Sequence, residues 1–121
     1  MSNFNFTDAL KIHADWKFKL RDAIADHAQL DDKKIAKDDQ CVLGKWLHDP
    51  ETKAAYGNLE NFQECIKAHA RFHLAASEVA RYINMENYDH ATDLLKSGTE
   101  YATASSEVGL AIHELRKEVQ S

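Results

Sequence analysis

One proline and four glycines are spread over 121 residues. A sandwich or barrel of short strands needs such turn formers at regular intervals, so an all-β fold is excluded. No apolar run approaches the roughly 20 residues that cross a bilayer as a helix, which argues against membrane insertion. The opening Met1-Ser2-Asn3-Phe4-Asn5-Phe6 lacks the basic start and apolar stretch of a secretory signal, so a cytoplasmic location is expected. Net positive charge is missing as well: 15 Lys and Arg against 20 Asp and Glu leave −5, which gives nucleic acid little to hold. Only two cysteines occur, and in an intracellular chain a metal or redox role suits them better than a structural disulfide. What remains, 44% hydrophobic and 29% charged residues, suits one folded domain over residues 1–121. Seven histidines are the one compositional excess.

The apolar spacing predicts an all-α protein. Asn5 or Thr7 can cap a first helix over Thr7 to Ala28, whose apolar side runs Leu10, His13, Trp16, Leu20, Ala23/Ile24 and His27. Leu30 to Asn58 reads as a broken arm, with caps expected at Asp31-Asp32 and Asp38-Asp39 and a break at Asp49-Pro50. Its most apolar piece, Cys41 to Leu47, is expected to face inward. A long helix follows over Leu59 to Met85, with the seam Phe62, Ile66, His69, His73, Ala76, Ala80 and Ile83. Asn87 can cap a last helix over Tyr88 to Val119, which Gly98 either interrupts or weakens by about 1 kcal/mol. Small residues (Gly98, Ala102, Ser105, Gly109) lie along it and would admit a neighbouring helix. Three long helices and one broken arm carrying the Cys segment read as an antiparallel four-helix bundle.

His69 and His73 stand four apart on that seam, about 6 Å from each other on one helix face. Two buried imidazoles without partners would cost roughly 1–3 kcal/mol each, and a shared metal ion removes that cost. His13 points inward from the first helix, and Cys41 offers a soft sulfur from the arm. Three imidazoles and one thiolate make a closed tetrahedral zinc set, with no position left for substrate or water. Cys65 competes with Cys41, because Cys65, His69 and His73 recur every four residues. That row turns by about 80° over its length, so spacing favours Cys41 without deciding the matter. Di-iron chemistry fits poorly: no histidine has Glu four residues later, and no Glu-x-x-His pair occurs. No Ser-His-Asp signature or phosphate-binding glycine loop appears either, so no enzyme activity is expected. Asp15, Asp38 and Asp39 can serve either as proton acceptors for ligand imidazoles or, more simply, as caps and solvated charges. Trp16 and Trp46 read as core packing beside the ligands, and His27, His48, His90 and His113 have no partner at ligand spacing.

His13-Ala14-Asp15-Trp16, Cys41-Val42-Leu43-Gly44-Lys45-Trp46-Leu47 and His69-Ala70-Arg71-Phe72-His73 resemble the three signatures of the chemoreceptor zinc-binding (CZB) domain. That resemblance implies Zn2+ held by His13, Cys41, His69 and His73, and it settles the choice between the cysteines. It also implies a bacterial sensory module, a homodimer, that works with chemoreceptor or diguanylate cyclase signalling domains in chemotaxis and signal transduction. Family members sense zinc, and in some the zinc-bound cysteine answers oxidants such as hypochlorous acid. The other expectation is a purely structural zinc bundle acting as a dimerisation or adaptor module. No receptor signalling helix or cyclase domain accompanies these residues, which suits a free-standing member or an excised domain equally.

Overall fold

Among the described residues, six of the seven helices begin at a side chain that accepts an otherwise unpaired amide proton. In the computed structural model, which describes residues 4–120, Asn5 starts α1 (Phe6–Asp26) by accepting from the Asp8 amide at 2.9 Å. Met1 to Asn3 of the opening segment, and Ser121, lie outside the described residues. Asp31 caps α2 (Asp32–Ile35), and Asp49 caps α4 (Pro50–Tyr56), where Pro50 sits in the first turn and needs no amide partner. Asn87 caps α6 (Tyr88–Leu94) and Thr99 caps α7 (Glu100–Val119). Only the long α5 (Glu60–Asn84) lacks a side-chain cap. The cap of α3 (Val42–His48) is not the Asp38-Asp39 pair expected from sequence. Cys41 takes that place, its Sγ accepting from the Gly44 amide at 3.3 Å.

Two further boundaries bear on the sequence reading. The helix expected over Tyr88 to Val119 is interrupted at Gly98, one of the two outcomes the sequence allowed, and forms two helices, α6 and α7. Gly98 has φ +83, outside the helical range, and the Thr99 hydroxyl reaches the Leu94 and Lys96 carbonyls at 2.8 and 2.7 Å. The first helix ends at Asp26 because His27 adopts φ 54, with the Ala28 amide turned back onto the Ala23 carbonyl at 3.0 Å. His27 is therefore exposed, not part of the inward stripe, and its ring stacks on Tyr88 with centroids 4.2 Å apart.

The all-α class is as expected: the described residues form seven helices and no strand. The helices α1, α5 and α7 pack against one another, α6 lies against α5 and α1, and the arm docks on α5 through α2 and α3. The core runs between them through Leu20, Phe62, Phe72, Val79, Ile83, Val108, Ile112 and Leu115, all of them fully buried. Burying an apolar side chain of this size contributes about 1.5–3 kcal/mol. From the arm, Leu43, Trp46 and Leu47 enter the same core, whereas Val42 points outward. Trp46 sits among Phe4, Phe6, Tyr56 and Phe62, so it is a packing residue. This packing fixes the start of α3 against the middle of α5.

Candidate metal centre

Four ligand-bearing side chains meet at that junction. His13 comes from α1, Cys41 from the start of α3, and His69 and His73 from successive turns of α5; their ligand atoms all lie within 4.8 Å of one another. The three imidazoles are buried, and Cys41 is partly open to solvent. Cys41 Sγ is 3.2 Å from His69 Nε2 and 3.6 Å from His73 Nε2, and the two Nε2 atoms are 3.0 Å apart. Zinc–nitrogen bonds near 2.05 Å and a zinc–sulfur bond near 2.3 Å give tetrahedral edges of about 3.3 Å (N–N) and 3.6 Å (N–S). The observed separations are close to these edges.

Backbone carbonyls set two of the ring orientations. His13 Nδ1–H donates to the Ala9 carbonyl at 2.8 Å, and His73 Nδ1–H donates to the Ile35 carbonyl at 2.9 Å. In a neutral ring each such bond leaves the lone pair on Nε2, which faces the cluster. His13 Nε2 and His69 Nδ1 are buried and have no hydrogen-bond partner. An unpaired buried acceptor beside two more imidazoles is the cost that a cation would remove.

Proton affinities fit the same role. Burial, aided by mutual repulsion with His73, His13 and His48, holds the His69 pKa down at about 2. Burial also lowers His13 and His73, against the opposing pull of their backbone acceptors. All three rings are thus neutral near pH 7, the form that binds metal. Burial raises the Cys41 thiol, while the Gly44 amide, pointing at its sulfur, favours the thiolate.

Residues 13–80, more than half of the chain, match the chemoreceptor zinc-binding domain, CZB. The chain belongs to the CZB family. No curated protein and no solved structure matches it significantly. The donor set of this CZB domain fits the metal in its family name: three nitrogens and a sulfur within 4.8 Å of one another in a largely buried site, with Cys41, His69 and His73 at near-tetrahedral spacing. The domain is accordingly a zinc-binding one.

Cys65 stands apart from the cluster. It is fully buried on α5, and burial pushes its thiol up to about 12. The aspartates bond to other groups: Asp15 pairs with Lys11, Asp39 accepts from the Gln40 side chain, and Asp38 pairs with His48 at 3.2 Å. Asp38 is near enough for its charge to raise the His73 pKa against burial and the Cys41 pKa along with it. The carbonyl partners of the imidazoles escaped the sequence reading. The Ala9 contact was signalled by its place four residues before His13, but the Ile35 contact spans 38 residues and had no local signal. His48 has no local signal either, because its partner Asp38 stands ten residues away.

Trp16 lies edge-on to His73, with centroids 6.3 Å apart. It forms one wall of a cleft of about 230 Å³ whose lining also includes Ile35, Gln40, Cys41 and His73. Solvent therefore approaches the cluster from the thiol side.

Proposed function

We propose that this CZB domain is a sensory module without enzymatic activity, in which His13, Cys41, His69 and His73 hold one zinc ion and Cys41 carries the signal. The observation that supports the reading is the asymmetry of the cluster: three buried imidazoles on long helices, and one partly open thiol on the short arm. Zinc, when bound, keeps the Cys41 sulfur as thiolate at neutral pH. That sulfur can give two electrons to hypochlorous acid, taking up the hydroxyl as sulfenic acid and releasing chloride. A sulfenic sulfur is a poorer ligand and a poorer acceptor for the Gly44 amide, so the start of α3 loosens against α5. A change in zinc supply would act on the same hinge through occupancy of Cys41.

By its family, the domain works in the cytoplasm as a homodimer and passes the change to a chemoreceptor or diguanylate cyclase output. No helix among the described residues is long and apolar enough to cross a membrane. Metal analysis of the purified protein, followed by zinc release during titration with hypochlorous acid, tests the reading. One zinc per chain, released in step with loss of one thiol, is the expected result. Zinc retained through full oxidation of Cys41 would leave a structural zinc bundle as the better account.

A further inference from the structure

A second cleft, of about 610 Å³, lies on the opposite end of α1 from its capped start, where α1 faces the turn between α6 and α7. Its lining holds three cations, Lys17, Arg21 and Lys96, and no carboxylate. Ile24 and Leu95 supply an apolar floor, and Thr92 and Ser97 supply hydroxyls. The volume falls within the ordinary range for small-ligand sites, about 300–1,000 Å³.

Unpaired cations occur elsewhere on the surface among the described residues, as at Lys33, Lys45 and Lys53, but here they share one concavity with no carboxylate in its lining. Elsewhere Lys11, Lys67 and Lys117 each sit three or four residues from a carboxylate that they reach, and Arg71 pairs with Glu107 across α5 and α7. Lys17 and Arg21 instead stand four apart on one face of α1 with like charge, an arrangement that weakens a helix by a few tenths of a kcal/mol. Neither has an ion-pair partner among the described residues, and Lys17 is half-buried. Lys96 is the third cation, and its only carboxylate partner, Asp93, lies outside the lining. In a chain of net charge −5, three cations converge from two elements on one concave surface.

We infer that this cleft binds a small organic phosphate, its anionic group among Lys17, Arg21 and Lys96 and its apolar part on Ile24 and Leu95. A guanidinium and two ammonium groups match phosphate oxygens, and the apolar floor distinguishes an organic ester from the free ion. The inference is independent of the zinc reading.

Phenyl phosphate, inorganic phosphate and phosphatidylglycerol vesicles serve as probes, each titrated into zinc-loaded protein and followed by amide chemical shifts. Phenyl phosphate should shift the Ala25, Leu95 and Ser97 amides and bind more tightly than inorganic phosphate. The double variant Lys17→Gln/Arg21→Gln should weaken it at least tenfold, with zinc content unchanged. Vesicle binding that the same double variant abolishes, alongside phenyl phosphate binding, would mark a lipid headgroup as a further source of the phosphate. Shifts scattered over the surface, equal binding of phenyl and inorganic phosphate, binding to vesicles alone, or a double variant that binds phenyl phosphate as well as the parent would each overturn the inference.

Discussion

The backbone carbonyl of Asp38 occupies the place where a side chain on Gly44 would begin. A Cβ there would lie inside van der Waals contact of that oxygen, and the obstacle is backbone, which cannot swing away. The same glycine donates its amide to Cys41 Sγ. Gly44 thus lets the loop before α3 close over the helix start and holds the thiol in place. Gly44→Ala should destabilise the domain by about 1–3 kcal/mol, the usual cost of overpacking, and lower zinc affinity with it. Gly109 is the control, since a Cβ there meets nothing within 4 Å. Gly109→Ala should be neutral or stabilising by up to about 1 kcal/mol. Denaturant titrations of both variants check the contrast.

Removing a ligand should cost stability as well as metal, because an ion bound only by the folded state adds its binding energy to folding. His73→Ala should lower the melting temperature of zinc-loaded protein by several degrees more than His90→Ala. His90 is exposed with its ring edge-on to Tyr82, whereas His73 is buried against Cys41, His69 and the Ile35 carbonyl. Adding a chelator should bring the wild type down toward the His73→Ala variant.

The helices and the seam were legible because α5 carries a strong three-four rhythm; Phe62, His69, His73, Ala76, Ala80 and Ile83 are buried as that rhythm implies, and Ile66 only partly. The three imidazoles at the centre were legible too, since His13, His69 and His73 lay on apolar stripes, whereas spacing left Cys41 and Cys65 open and the family signature chose Cys41. What the sequence obscured depends on backbone placement. A cysteine is not an expected helix cap, so Asp38-Asp39 drew the assignment that belongs to Cys41. Gly98 left two outcomes open, a break or a cost within a helix, and its positive φ, which depends on backbone placement, decides for the break. His27 followed the periodicity of α1 but stands past its end, where period no longer dictates direction.

Acid should unfold the metal-free protein more readily than a bundle without buried histidines. The His69 pKa is held at about 2 in the fold against 6.5 as the ordinary value, so the unfolded chain takes up the proton first. Stability is therefore full above pH 6.5 and declines as pH falls below it. By pH 5 the loss from this one ring is about 2 kcal/mol. Urea midpoints of the metal-free protein at pH 7 and pH 5 measure this slope, and His69→Leu should flatten it.

Light scattering should give twice the 13.7 kDa chain mass at micromolar concentration. Leu110 is an exposed large apolar side chain on α7, so that helix offers a face that a second chain can approach. A mass that stays at one chain across that range would remove the homodimer.

The two cysteines should separate under hypochlorous acid, with Cys41 oxidised first. Both are raised by burial, but to different ends. Cys65 is fully enclosed in the core of α5, has no amide pointing at its sulfur, and stays a thiol because its pKa reaches about 12. Cys41 has the Gly44 amide at 3.3 Å and the neighbouring imidazoles, and it borders the cleft beside Trp16. Thiolate character and access therefore favour Cys41 together. Zinc works against attack by drawing electron density from sulfur, so chelation before oxidant should change the rate at Cys41 and leave Cys65 unaffected. Mass spectrometry of the two cysteine peptides, with zinc release followed in parallel, measures the order. Widening the cleft with Trp16→Ala should speed oxidation of Cys41 several-fold while Cys65 stays slow. If Cys65 were oxidised first, the open edge of the cluster would not be the route of attack, and the sensing role assigned to Cys41 would fall with it.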